Sequence, residues 1–213
     1  MSQTTAIIDY ASGNLRSAEK SFARMADALG AGEIIVTADP DAVRHADRIV
    51  LPGVGAFADC RAGLLAVDGM YEVIAEKVVQ GTPFFGICVG MQLLATVGRE
   101  FGNTPGFDWI GGAVELLRPA DPCLKIPHMG WNALSVERPH PVFAGIEAGQ
   151  HAYFVHSFHF QVDVPEHRVA TVEYGQIVTA AVARETIVGT QFHPEKSQVT
   201  GLRVIGNFLS WTP

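Results

Sequence analysis

The segment Gly86-Ile87-Cys88-Val89-Gly90-Met91-Gln92 sets a thiol between two glycines, after the apolar run Thr82-Pro83-Phe84-Phe85 and before the helical pattern Met91-Gln92-Leu93-Leu94. Strand, sharp turn with a reactive side chain, then helix is the arrangement of a nucleophile elbow. Its flanking residues must be small, because the apex backbone is strained and strand and helix approach closely there. A helix N-terminus behind Cys88 favours thiolate over thiol through its unpaired N–H groups and dipole. A free cysteine in an apolar stretch is also an ordinary core residue, so the elbow needs partners.

A thiol nucleophile needs a base, and the base an orienting group. Near the C-terminus the chain reads Ile187-Val188-Gly189-Thr190-Gln191-Phe192-His193-Pro194-Glu195. The first six residues predict a buried strand, with His193 at or just past its end. Residues two apart on an extended chain share a side, so His193 and Glu195 can face one site, with Pro194 restricting the backbone between them. A histidine beside a surface glutamate is the plainer alternative. A third segment, Leu51-Pro52-Gly53-Val54-Gly55, follows the apolar run 48–51. Two glycines bracketing one residue make a loop whose peptide planes can turn, so that its N–H groups can serve a developing oxyanion. A plain turn after a strand reads similarly.

The elements that must position these groups read as one α/β domain spanning residues 1–213. Strands at 5–10, 33–37, 48–51 and 84–87 alternate with helices at 15–29, 40–45 and 70–79, and Asn14 stands at the N-cap position of the first helix. That alternation predicts a mostly parallel central sheet with helices on both faces. The second half changes character: strand-like runs at 114–117, 131–136, 152–156, 158–162, 169–173, 177–183 and 187–192 have hardly a helix between them. They predict additional antiparallel strands extending or flanking the parallel core. Residues 200–211 close the chain as an amphipathic helix with Leu202, Ile205, Phe208 and Leu209 on one side. Sites of open α/β sheets lie outside the carboxyl ends of the parallel strands, where both the 52–55 loop and Cys88 fall.

Composition narrows the class. A chain of 213 residues that is 48% hydrophobic suits a doubly covered sheet. No run is long and apolar enough to cross a membrane, and the first residues carry no signal-like segment. Three cysteines at irregular spacing give neither a disulfide framework nor a zinc pattern. Cys60 and Cys123 read as structural or incidental. A free catalytic thiol belongs in a reducing compartment, so the cytoplasm is expected. The formal charge of −7 with no lysine or arginine cluster argues against nucleic acid as a partner; Arg16, Lys20 and Arg24 at helical spacing read as a solvated face.

The elbow around Cys88 together with Phe192-His193-Pro194-Glu195 resembles the class I, triad-type glutamine amidotransferases. Within that family, Ile8-Asp9-Tyr10, Gly13-Asn14-Leu15, Pro127-His128-Met129-Gly130-Trp131-Asn132, Tyr153-Phe154-Val155-His156-Ser157 and His193-Pro194-Glu195-Lys196-Ser197 resemble the glutaminase subunits of imidazole glycerol phosphate synthases. The likeness runs from residue 5 to about residue 210. It implies a Cys88–His193–Glu195 triad hydrolysing glutamine to glutamate and ammonia, without cofactor or metal. It implies oxyanion donors at Val89 and in the Gly53–Val54–Gly55 segment, with a peptide rearrangement near Val54 before its N–H points inward. Gln92 and Glu100 would face the glutamine α-amino group, and Ser157 and Phe158 would present backbone groups. Gln92 also reads as a plain polar residue of the elbow helix and Glu100 as a solvated helix-end carboxylate. His156 reads as structural.

The implied partner is a (β/α)₈ cyclase subunit, in a heterodimer of histidine biosynthesis, with Trp131, Asn132, Tyr153 and Lys196 at the docking face. The aromatic pair reads alternatively as half-buried core. Rival readings are a glutaminase serving anthranilate or guanylate synthesis, a non-catalytic cysteine protein of related fold, and a stand-alone cysteine hydrolase. The 127–132 and 153–157 segments speak against the first, and the full set of Cys88, His193 and Glu195 against the second. The third predicts full activity without a partner.

Overall fold

The structure, a computed structural model, describes residues 3–213. The first half alternates strands β1 (Thr4–Ile8), β2 (Glu33–Thr37), β3 (Arg48–Gly53) and β4 (Phe84–Cys88) with helices α1 (Leu15–Leu29), α2 (Pro40–Arg44), α3 (Phe57–Ala66) and α4 (Met70–Val79). A single helical turn, α5 (Val89–Gln92), follows β4 directly. The second half holds ten strands: β5 (Val97–Gly98), β6 (Thr104–Pro105), β7 (Gly112–Leu116), β8 (His128–Ala133), β9 (Ser135–Val136), β10 (His151–His156), β11 (Phe158–Val162), β12 (Arg168–Glu173), β13 (Ile177–Arg184) and β14 (Ile187–Thr190). Helix α6 (Gln198–Ser210) ends the fold.

The main sheet runs β2-β1-β3-β4-β14-β13-β12-β9. Its first five strands are mutually parallel, and β13, β12 and β9 extend it in antiparallel pairing. Two smaller sheets, β11-β7-β5-β6 and β10-β8, flank it. The mostly parallel α/β fold with antiparallel additions is therefore present, the additions both extending and flanking the core.

Every residue of β3 and β4 is buried, as expected for strands covered on both faces. Adjacent residues of β4 show the two layers. Phe85 packs on Phe22 of α1 and Phe208 of α6, whereas Phe84 meets Trp109, which stacks on Tyr71 of α4. Alternation along the strand sends the two rings to opposite sides.

Some expectations change. The first strand ends at Ile8 rather than residue 10, and Tyr10 instead sends its hydroxyl to the Pro52 carbonyl at 2.7 Å. The helix after the elbow is one turn only. The run 131–136 breaks between two sheets: β8 pairs with β10, and β9 with β12. Helix α3 was not anticipated, although Phe57, Cys60 and Leu64 recur at helical spacing and form its buried face. Asn14 occupies the N-cap position of α1, but its side chain makes no capping bond. Among the described residues, no helix is long and apolar enough to cross a membrane.

Candidate active site

Strand register brings the site together. In the β3–β4 ladder Gly53 lies opposite Cys88, and in the β4–β14 ladder Ile87 lies opposite Thr190. Three parallel strands thus deliver the 52–55 loop, Cys88 and the segment leading to His193 to one carboxyl edge.

Cys88 has φ 56° and ψ −111°, a conformation disfavoured for a residue with a side chain. Packing enforces it. A Cβ at Gly86 would come within 2.5 Å of the Gly90 carbonyl oxygen, and one at Gly90 within 1.9 Å of the Leu51 carbonyl oxygen. The strand, the turn and the neighbouring strand therefore touch backbone to backbone. The Cys88 residue is only 4% exposed, and the Gln191 side-chain amide lies 3.7 Å from its sulfur.

His193 and Glu195 do pair, but not by strand alternation. Strand β14 stops at Thr190, and residues 194–196 form a 3₁₀ turn. This turn, opened by Pro194, curls Glu195 back so that its Oε1 lies 2.9 Å from His193 Nδ1, with both side chains 2% exposed. The His193 backbone is pinned in turn: its N–H donates to the Tyr153 carbonyl, and its own carbonyl accepts from the Ser197 hydroxyl at 2.6 Å. His193 Nε2 is buried without a well-formed hydrogen bond among the described residues. Burial alone pushes this imidazole down, but the Cys88 sulfur, when ionised, and the Glu195 carboxylate outweigh it and carry it up to about 10. These partners favour the protonated ring, the form in which His193 can act as an acid.

A cavity of about 330 Å³ opens over these groups, lined among others by Val54, Val89, Gln92, Glu100, Ser157 and Phe158. That volume suits a small ligand. Gln92 is buried, and its amide nitrogen donates to the Phe158 carbonyl (3.0 Å) and to Gln191 Oε1 (2.9 Å). Glu100 is not merely a solvated carboxylate: its Oε2 accepts the N–H of Phe57 at 2.8 Å, at the start of α3. The Ser157 carbonyl accepts from Leu117 N–H at 2.8 Å. This narrow pair leaves Phe158, opposite Leu116, turning its own N–H and C=O away from β7.

The 53–55 loop departs from the expectation of two freely turning glycines. Gly53 is the last, buried residue of β3, and a Cβ there would meet the Gly90 nitrogen at 2.8 Å and the Tyr10 hydroxyl at 2.9 Å. Of the two glycines, Gly55, at φ 99° with open space around it, is the one not packed against the elbow. The Val54 carbonyl accepts from Ser12 Oγ (2.9 Å) and Cys60 Sγ (3.2 Å), and the Val54 N–H points to Ser12 Oγ at 3.4 Å. Cys60 is thus tied to the loop. Sequence reasoning missed Tyr10, Ser12 and Cys60 here, because only the fold brings α1's leading loop and α3 against residues 52–54.

Trp131 is 47% exposed and packs edge-on against Tyr153, whose ring lies 5.9 Å below the Lys196 ammonium. Together with exposed Met129 they form one outward patch on the β8–β10 sheet, while Asn132 donates inward to the Glu173 carbonyl.

Comparison with known proteins agrees with this architecture. The family model for glutamine amidotransferase class-I matches residues 8–210. The chain is 60% identical to the imidazole glycerol phosphate synthase subunit HisH of Ruegeria pomeroyi over 98% of this chain and 99% of that one. The subunit of the same name from Rhodospirillum rubrum is also 60% identical, with the same coverage. Among solved structures, PurLQS from Thermotoga maritima superposes with a TM-score of 0.70 at 20% identity, covering 99% of both chains. The structure of another glutamine amidotransferase gives 0.72 at 16% identity, over 97% of this chain and 99% of that one. The chain belongs to the class-I glutamine amidotransferase family.

Proposed function

We propose that this chain is the glutaminase subunit of an imidazole glycerol phosphate synthase, a single glutaminase domain working in the cytoplasm as one half of a heterodimer. The observation that carries the reading is the 60% identity, over nearly the whole length, to subunits of that name. The chemistry follows from the cavity. Cys88 thiolate attacks the side-chain amide carbon of glutamine, and the resulting oxyanion is met by the Val89 N–H and, after the loop turns, by the Val54 N–H. The protonated His193 gives its proton to the leaving amine, and the C–N bond breaks to release ammonia and a glutamyl thioester. His193, now neutral, takes a proton from water as it attacks the thioester, releasing glutamate and restoring the thiolate–imidazolium pair. Glu195 keeps the ring oriented and stabilises its charge. Gln92, Glu100, Ser157 and Phe158 position the substrate.

Ammonia protonates and escapes in water, so a glutaminase of this kind works docked on the enzyme that consumes its product. The proposed partner is a (β/α)₈ cyclase that converts a phosphorylated aminoimidazole-carboxamide ribonucleotide precursor to imidazole glycerol phosphate and aminoimidazole carboxamide ribonucleotide. Trp131, Tyr153 and Lys196 on the outward patch, with Asn132 behind them on β8, are the proposed docking residues. The test is co-expression with such a cyclase. Cys88→Ala should abolish glutamine-dependent synthesis, a loss of more than about a thousandfold, while synthesis from added ammonium salt persists. Normal glutamine turnover in Cys88→Ala, or failure to associate with a cyclase, contradicts the proposal.

A further inference from the structure

Two buried histidines outside the triad join the docking sheet to the cavity. His156 Nδ1 lies 2.8 Å from the Phe158 carbonyl, His128 Nδ1 lies 3.0 Å from His156 Nε2, and Asn132 Nδ2 lies 3.3 Å from His128 Nε2. Only one assignment of protons satisfies all three contacts. A carbonyl can only accept, so His156 carries its hydrogen on Nδ1 and its Nε2 is an acceptor. His128 must then donate from Nδ1, leaving its Nε2 to accept from Asn132. The Asn132 amide is oriented independently, since its Oδ1 accepts the Ala133 N–H at 2.8 Å and its Nδ2 also donates to the Glu173 carbonyl at 2.8 Å. Every hydrogen bond in the chain runs the same way, from β8 toward the cavity.

The chain requires neutral rings, and burial supplies them, pushing His156 down to about 3 and His128 to about 4. His128 is further held as a plate between Phe154 and Tyr174, with ring centroids 4.9 and 4.0 Å away. At the far end, the Phe158 carbonyl takes a second donor from Gln92, which passes to Gln191 and so to the Cys88 sulfur. A peptide with both lone pairs of its oxygen engaged has little freedom to tilt. The Phe158 N–H, on the preceding peptide, also points away from β7 toward this side, so the held 158–159 peptide restrains the Cα from which that N–H projects.

We infer that His128 and His156 are positioning residues for glutamine: their one-way hydrogen-bond chain from Asn132 anchors the Phe158 carbonyl and so holds the strand backbone at the place where the Phe158 N–H faces the substrate. The inference rests on the glutaminase reading above. It assigns no proton transfer to either histidine.

His128→Phe keeps a stacked ring but removes both hydrogen bonds, stranding the His156 acceptor. In the cyclase complex it should raise the KM for glutamine about five- to tenfold, the effect of leaving one buried group unpaired, with kcat within about twofold. His128→Asn places an amide N–H where Nδ1 stood and should bring KM back toward the native value. An unchanged KM in His128→Phe, or a fall in kcat with no rescue by asparagine, overturns the inference. A second measurement needs no turnover: ¹⁵N imidazole spectra of the intact chain should show both histidines as Nδ1–H tautomers, and an Nε2–H on either one breaks the chain. A wild-type complex with no glutamine turnover would instead fail the proposed function, so the two failures are distinguishable.

Discussion

Cys88 and Val54 stand at the ends of adjacent strands, where Gly53 faces Cys88 across one ladder, yet they are secured by different forces. The elbow is fixed by backbone packed on backbone, with no room for a single carbon at Gly86 or Gly90. The loop is fixed by exchangeable hydrogen bonds from side chains: Tyr10 on the Pro52 carbonyl, Ser12 and Cys60 on the Val54 carbonyl. Close packing has no second arrangement of similar energy. Hydrogen bonds of this kind exchange partners at a net difference of about 1 kcal/mol each. The nucleophile is therefore preset, while the oxyanion loop can be turned by a modest push such as docking.

The sharpest way to break this contrast is to add one methyl group on each side. Gly90→Ala forces a carbon into the Leu51 carbonyl and should lower stability by about 3 kcal/mol, the upper range for overpacking, read as a fall in the urea midpoint. Gly55→Ala meets no atom and carries only the left-handed backbone penalty of about 1–2 kcal/mol. Its main effect should be on chemistry, lowering the partner-stimulated kcat by at least about tenfold because the loop can no longer exchange states. Equal stability losses in the two variants would show that loop and elbow are held alike. Gly53→Ala, unlike Gly55→Ala, should damage the elbow as well, because its Cβ meets the Gly90 nitrogen.

Ser12→Ala probes the hydrogen bonds rather than the packing. It removes the acceptor that keeps the Val54 N–H outward, so the partner-free kcat should rise about three- to tenfold with little change in KM. A drop in the partner-free rate would mean that Ser12 supports the active arrangement instead. The smallest effect belongs to the docking patch. Lys196→Ala loses an exposed cation–π contact with Tyr153 and any ion pair across the interface, worth at most about 1 kcal/mol. Partner affinity should weaken by up to about fivefold with the kcat of the saturated complex retained; unchanged affinity would remove Lys196 from the docking face.

Local chemistry was the legible part of the sequence. The glycines around Cys88 announced the elbow, and uninterrupted apolar runs such as Phe84-Phe85 announced strands covered on both faces. Helices α1 and α4 were readable to the residue, α1 from Asn14 at its N-cap position and α4 from Gly69 and Gly81, which bracket it. What stayed hidden depends on contacts distant in sequence. Nothing around Cys60 shows that its thiol meets a carbonyl beyond β3, and nothing near Glu100 shows that it accepts from Phe57. The His193–Glu195 pairing was anticipated for an insufficient reason: alternation along a strand was invoked, whereas the 3₁₀ turn started by Pro194 makes the contact. Gly53 and Gly55 look equivalent in sequence, and only the neighbouring Gly90 and Tyr10 tell them apart.

The most direct test of a preset nucleophile beside an unset oxyanion loop is steady-state glutaminase kinetics, comparing the chain alone with the chain bound to a ligand-loaded cyclase. A missing oxyanion donor affects the transition state and barely the bound amide, so kcat should rise by at least about a hundredfold while KM moves less than about threefold. Full kcat from the chain alone, or stimulation confined to KM, would show that the oxyanion hole is already formed and contradict the account.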